Sequence, residues 1–137
     1  ISIIILQQID LKKIIAYSSI AHMNFVVIGL FSNNVYGIEG GIFTMLSHGL
    51  ISSMLFFCIG VLYDRYGERN LLYYNNIGQI MPHFSVFFFF GFLCNLGYPR
   101  LSCFFGEFLL LLSLSFKSTF LLFIMSFSLF LTTIYCI

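Results

Sequence analysis

The sequence predicts an all-α polytopic membrane protein in which one of the helices is discontinuous. Three observations support this fold class: 60% of the residues are hydrophobic, only 8% are charged, and the mean hydropathy is +1.01. Soluble domains carry about 25% charged residues, so this chain has too few polar side chains to cover a surface that faces water. The bilayer is therefore the expected solvent, and we expect residues 1–137 to form a single membrane domain.

The composition also argues against several kinds of site. The net charge of +1 and the lack of a basic patch give no support to nucleic-acid binding. The cysteines stand apart in apolar runs without a CxxC pair, which favours free thiols over a metal site or disulfides. Because a GxGxxG motif and a cysteine cluster are also lacking, we expect this chain to bind no dinucleotide, flavin, iron–sulfur cluster or metal. The cysteines are Cys58, Cys94, Cys103 and Cys136.

The first apolar run, ISIIILQQI over residues 1–9, precedes the basic segment DLKK. A signal peptide would place its basic residues before the apolar run. The run is instead typical of the last turns of a helix whose beginning lies outside the sequence. We therefore expect the sequence to be one part of something longer.

Two predicted spans follow. Residues 14–31 contain no Asp, Glu, Lys or Arg and approach the roughly 20 residues that cross a bilayer. The linker SNNVYGIEG comes next, with Asn and Gly as turn formers. Residues 41–63 are the second predicted span, and the polar stretch 64–83 is the loop after it.

The next apolar segment, residues 84–116, is too long for one straight span and is interrupted by NLGYPRLS. Pro99 removes a helical hydrogen bond and clashes with the preceding turn, and Gly97 adds backbone freedom. We expect one half-helix to end near Leu96 and a second to begin near Ser102. Irregular backbone at membrane depth must face protein or a wet cavity, so this break marks a candidate site.

Basic residues give the orientation. Residues 118–137 form the last predicted span, and alternation then places DLKK and DRYGER on one side of the membrane. The linker SNNVYGIEG and Lys117 fall on the opposite side, here called the far side. The first side, here called the basic side, carries Lys12, Lys13, Arg65 and Arg69. The positive-inside rule makes the basic side cytoplasmic or matrix.

One carboxylate, Glu107, lies inside the apolar run FFGEFLLLL. An ionised group in hydrocarbon is costly, and intramembrane acids usually mark an ion or proton pathway. A salt bridge with Arg100, across the proline break, is the purely structural alternative.

Histidines and hydroxyls form stripes on the first two predicted spans. Thr44, His48 and Ser52 are spaced i, i+4, i+8, and Ser18 and His22 form an i, i+4 pair. Histidine gains and loses a proton near neutral pH, so these groups and a buried carboxylate have the chemistry of a proton relay. Hydroxyls also serve as hydrogen bonds between helices, and a membrane histidine can simply satisfy a carbonyl. Both interpretations stay open, and the relay predicts a membrane protein that conducts protons or cations.

The runs LQQIDLKKIIAYSSIAHM, MLSHGL, LYDR, IMPHFS and FFGEFLLL, in this order, resemble the antiporter-like membrane subunits of respiratory complex I, NADH:ubiquinone oxidoreductase. The resemblance covers residues from about 6 to 112. It implies an antiporter-like bundle with two five-helix repeats of inverted topology, of which this chain resembles the second. The corresponding segments are the end of helix 9 at 1–9, helix 10 at 14–31, helix 11 at 41–63, a matrix-side loop at 64–83, a broken helix 12 at 84–116 and helix 13 at 118–137.

The resemblance also implies residue roles. In the family, histidines on helices 10 and 11 belong to a hydrated polar axis, and they match His22 and His48. An acid in the broken helix ends that axis at the proton exit, and it matches Glu107. Other members of the family carry Lys at this position of the broken helix, so a Glu at 107 favours one of the family's subunit types over the others. Lys12 matches the Lys of the family's DLK junction and is a supporting candidate, with Ser18, Thr44 and Ser52, although it is equally consistent with an interface anchor.

The function that the resemblance implies is proton translocation coupled to electron transfer from NADH to quinone in the mitochondrial inner membrane. NADH, FMN, iron–sulfur clusters and ubiquinone would bind to other subunits. The expected partners are lipids, other membrane-arm subunits and a chain or segment that supplies the first repeat, whether the gene is split or the sequence is a fragment. Two alternatives stay open: a subunit of a multi-subunit cation/proton antiporter, and a structural half-subunit without a complete proton path.

Overall fold

The computed structural model describes residues 1–74 and 76–136, and its regular structure in these ranges is helical. Asn75 of the predicted polar loop and Ile137, the predicted end of the last span, lie outside the described residues. The helices are α1 (Ser2–Ile5), α2 (Leu11–Leu30), α3 (Val35–Tyr66), α4 (Ile77–Ile80), α5 (Pro82–Asn95), α6 (Ser102–Ser115) and α7 (Thr119–Cys136), with a short 3₁₀ turn at Leu71–Tyr73. The predicted all-α fold class is therefore confirmed.

Three helices, α2, α3 and α7, are long and apolar enough to cross a membrane, and α5 and α6 are shorter apolar helices of 14 residues each. The two shorter helices correspond to the discontinuous helix. α5 ends at Asn95 and α6 begins at Ser102, with Pro99 between them. Gly97 at φ +68° and Arg100 at φ +81° turn the chain inside the break. The predicted break near Pro99 is therefore confirmed.

The second span differs from its predicted range of 41–63, because α3 already begins at Val35. The glycines of the expected linker are helical and lie at close approaches between helices. A Cβ atom on Gly37 would collide with the carbonyl oxygen of Gly29, and one on Gly40 would lie 2.8 Å from the Cβ of Leu109. These glycines serve the close approach of helices rather than a turn, and the linker shortens to residues 31–34.

α3 lies at the centre of the bundle, packed most extensively against α6 and α2. Its contacts form two apolar layers. The layer towards the basic side consists of Leu11, Ile15, Ile51, Leu55, Ile59 and Cys103. The layer towards the far side consists of Phe25, Leu110, Leu114 and Met125. Ser18 and His22 on α2 and Glu107 on α6 lie between these layers along their helices.

On the basic side, the polar loop folds back onto the start of α2. The amide of Leu11 donates a hydrogen bond to the carbonyl of Arg69 (3.2 Å), and the amide of Leu71 donates one to Ile9 (3.1 Å). α3 ends at Tyr66 and is capped by Gly67, whose φ of +70° is a left-handed conformation that glycine adopts without strain. The loop therefore has a fixed position against the α2 N-terminus.

Candidate functional site

Three titratable side chains meet in the interior of the bundle, each from a different helix. His22 on α2, His48 on α3 and Glu107 on α6 have relative exposures of 0%, 4% and 6%. These are the residues that the sequence predicts for proton translocation, and the structure brings all three together between the apolar layers.

His22 is the middle member of this triad. Its Nδ1 lies 3.3 Å from Oε1 of Glu107, and its ring centroid lies 5.0 Å from that of His48, with the two planes 34° apart. Both nitrogens of each ring, and Oε1 of Glu107, are buried without a hydrogen-bond partner among the described residues. Apart from the contact between His22 and Glu107, these buried atoms have no polar partner within the described residues, although buried polar atoms are normally bonded.

The hydroxyls of the predicted stripes bind their own helices. Ser18 Oγ donates to the carbonyl of Ile15 (2.8 Å), Thr44 Oγ1 to Gly40 (2.6 Å) and Ser52 Oγ to Gly49 (3.2 Å). Ser18 and Thr44 are fully buried, whereas Ser52 is half-buried. Ser18 and Thr44 thus lie one helical turn from the two histidines, with their donor protons engaged by the backbone.

The helix break contacts the acid directly. A Cβ atom on Gly97 would lie 3.1 Å from Cδ of Glu107 and would collide with Oε2. Pro99 and Arg100 are exposed. The ion pair that the sequence allows between Arg100 and Glu107 is not formed among the described residues, where the basic group near Glu107 is His22. The break therefore packs glycine backbone, and not a cation, against the carboxylate.

Lys12 lies away from the triad. It is exposed at the start of α2, and the ten residues to His22 correspond to about 15 Å of helix. Its neighbour Lys13 forms an ion pair with Asp10 at 3.0 Å. Lys12 is thus not part of the buried triad, and its surroundings are those of the membrane boundary.

One polar cluster was not predicted from the sequence, whereas Asn95 is the first residue of the predicted interruption NLGYPRLS. Ser32 and Ser113 share a buried hydrogen bond of 2.5 Å, and Asn34 Nδ2 donates to the carbonyl of Ser113 at 3.2 Å. This cluster joins the α2–α3 connection to α6 on the far side. Asn95, at the end of α5, is 2% exposed and its Oδ1 lacks a partner among the described residues. Ser113 lies in the apolar run LLLLSLS and does not belong to a polar stripe at helical spacing, so no periodic signal could have indicated the cluster.

A metal centre is not apparent in the structure. No group of three or more His, Cys, Asp or Glu side chains that could hold a metal ion occurs in residues 1–74 and 76–136. The cysteines are free thiols.

Comparison with known proteins places the chain in a family. The family described as NADH:quinone oxidoreductase/Mrp antiporter, TM, matches residues 1–133. The chain is 62% identical over 112 residues to NADH-ubiquinone oxidoreductase chain 4 of Chondrus crispus, covering 82% of this chain and 23% of that protein. It is 51% identical over 132 residues to the chain 4 of Acanthamoeba castellanii, covering 96% and 27%. The chain thus spans about a quarter of the length of these relatives.

A solved structure gives the same result. One chain of the respiratory complex I from Thermus thermophilus with bound NADH matches with a TM-score of 0.94 and 30% identity, covering 98% of this chain and 29% of that chain. The predicted resemblance and the antiporter-like fold are therefore confirmed, and the relatives are of the chain 4 type. This chain belongs to the family of membrane subunits of NADH:quinone oxidoreductases and Mrp antiporters.

Proposed function

We propose that this chain is part of a proton-translocating membrane-arm subunit of NADH:ubiquinone oxidoreductase, of the chain 4 type, in the mitochondrial inner membrane. The observation that carries the proposal is the buried series His48–His22–Glu107, which crosses three helices between two apolar layers. The names of the relatives support the choice of complex. NADH, FMN, iron–sulfur clusters and ubiquinone belong to other subunits, and this chain transfers protons.

The short distance between His22 and His48 disfavours a positive charge on both rings at the same time. Two imidazolium rings with centroids 5.0 Å apart repel each other. A proton that arrives on His48 therefore favours the transfer of the proton on His22 to its other neighbour. That neighbour is the Glu107 carboxylate, 3.3 Å away. The triad passes a proton from α3 through α2 to α6.

Glu107 is the last member of the series and lies against the helix break. A discontinuous helix frees backbone groups and tolerates water at membrane depth. Gly97 places backbone against the carboxylate, so this is the position where Glu107 exchanges its proton with the exit path. We assign the exit to the far side, which is the intermembrane-space side if the basic side faces the matrix.

The chain does not complete a proton path by itself in this proposal. Its matches cover about a quarter of the length of the relatives, and the remaining helices, including a first repeat, come from a further chain or segment. Other membrane-arm subunits and lipids cover the apolar faces of α5 and α7. In this assembly, electron transfer in the redox subunits drives changes of charge along the triad.

A second candidate function is supported by the family description, which includes Mrp antiporters. Isolation of the intact assembly through a tag on this chain distinguishes the two. We expect flavin and iron–sulfur absorbance to co-purify and NADH oxidation to depend on added ubiquinone. An assembly without redox cofactors that exchanges sodium for protons would overturn the proposal in favour of the antiporter.

A further inference from the structure

A groove separate from the triad opens on the basic side between α2 and α3. Its volume is about 270 Å³. The lining is Lys12, Phe56, Ile59, Gly60, Tyr63 and Arg69. It combines two cations with an apolar floor at the membrane boundary, and the proton series uses none of these residues.

A backbone hydrogen bond brings together the two segments that carry these cations. The loop that carries Arg69 is bonded to the start of α2 through the amide of Leu11 at 3.2 Å. The Arg69 guanidinium carbon lies 4.6 Å from the centre of the Tyr63 ring, which fixes the side chain over α3. Lys12 lies one residue beyond Leu11. The backbone that carries both cations is therefore fixed, and the Arg69 side chain is held at the groove.

The nearby acids leave these cations available. Asp10 pairs with Lys13 at 3.0 Å, and neither Lys12 nor Arg69 forms a salt bridge among the described residues. The other acids of this side, Asp64 and Glu68, are exposed. The groove therefore offers two positive charges to an anion.

The apolar floor points towards the membrane interior. Phe56, Ile59, Gly60 and Tyr63 are spaced i, i+3, i+4, i+7 and share one face of α3. The seven residues from Tyr63 to Phe56 descend about 10 Å from the boundary. A Cβ atom on Gly60 would meet nothing within 4 Å, so an open slot continues from the cations along the helix.

We propose that this groove binds one anionic phospholipid, with its phosphate between Lys12 and Arg69 and an acyl chain over Gly60. Charge complementarity selects a phosphate, and the apolar slot selects a lipid over free phosphate. Basic pockets between membrane helices on this side of a bilayer suit such headgroups. The site goes beyond the proposed function, gives Lys12 a role at the boundary and is independent of the proton series.

The test uses the intact membrane assembly, stripped of lipid in detergent and titrated with phosphatidylglycerol or with zwitterionic phosphatidylcholine. Bound lipid is counted by mass spectrometry. We expect the double variant Lys12→Gln/Arg69→Gln to bind phosphatidylglycerol about fivefold more weakly for each cation removed. The matched control is Lys13→Gln, which removes a charge from the same turn without lining the groove and should leave the affinity unchanged.

A second variant keeps both charges. Gly60→Leu fills the open slot and should also weaken phosphatidylglycerol binding, while native gels confirm that each variant assembles. Equal loss in Lys13→Gln, or equal binding of phosphatidylcholine, would overturn the proposal. Displacement of the lipid by inorganic phosphate at millimolar concentration would assign the groove to the free ion instead. Unchanged binding in both groove variants would also overturn the proposal, because the lipid would then bind elsewhere.

Discussion

The Nδ1 atom of His22 lies 3.3 Å from Oε1 of Glu107, joining α2 to α6 inside the bundle. The same imidazole has its centroid 5.0 Å from that of His48 on α3. One buried histidine therefore contacts both other titratable members of the site. In the proposed series, His22 is therefore the link through which a proton on one helix reaches the acid on another.

Replacing His22 with Gln should interrupt the series while keeping a polar side chain of similar reach. Glutamine does not titrate, so we expect proton translocation to fall by at least about tenfold while the assembly persists. His83→Gln is the matched control, because His83 is exposed at the start of α5 and should have no effect. Proton uptake by reconstituted vesicles measures both variants, and equal rates would refute the role of His22.

Replacing Arg100 with Gln tests the structural alternative for Glu107. Because Arg100 is exposed and forms no ion pair with Glu107 in the described residues, we expect unchanged assembly and unchanged proton translocation. Native gels and vesicle acidification provide the measurements. Loss of assembly in this variant that Arg100→Lys restores would mean that the carboxylate needs this cation after all.

Gly97→Ala should displace the Glu107 carboxylate in addition to straining the backbone of the turn. An alanine at φ +68° costs about 1–2 kcal/mol, and its Cβ would also collide with the Glu107 carboxylate. Gly67→Ala is the control, because Gly67 has φ +70° and open space around it. We expect Gly97→Ala to reduce proton translocation and Gly67→Ala to leave it near the parent value. Similar rates of proton translocation in the two variants would show that the contact between Gly97 and Glu107 does not affect function.

Gly106→Ala should weaken the packing of α3 against α6. The new Cβ would lie 3.0 Å from the backbone nitrogen of Thr44 and 3.1 Å from its Cα, and overpacking of this kind costs about 1–3 kcal/mol. Gly49→Ala adds the same methyl group where nothing lies within 4 Å. Thermal dissociation of the intact assembly should shift downwards for Gly106→Ala alone. A shift of equal size for Gly49→Ala would argue against this close contact.

Much of the fold could be predicted because spans and helix breaks depend on residues that are close together in the sequence. The apolar runs predicted the helices, and Pro99 predicted the break that separates α5 from α6. The start of α3 was less predictable. Gly37 and Gly40 are turn formers by composition, yet they lie in a helix because α2 and α6 approach there. Only the packing of helices distant in sequence decides between these two uses of glycine.

The members of the site could be predicted, but their order could not. Histidines and a carboxylate stand out in an apolar sequence, because burying an ionisable group in a membrane costs free energy and such groups are usually functional. The sequence does not show that His22 lies between His48 and Glu107, because this follows from how three helices pack. The contact of Gly97 with Glu107 was hidden for the same reason.

Glu107 carries protons out of the buried series in the proposed function. The most direct measurement is the number of protons translocated per NADH oxidised by the reconstituted assembly that contains Glu107→Gln, a substitution of the same shape without a titratable proton. We expect this ratio to fall while native gels show the assembly intact. A ratio and a turnover rate equal to those of the parent assembly would show that Glu107 is not part of the proton path.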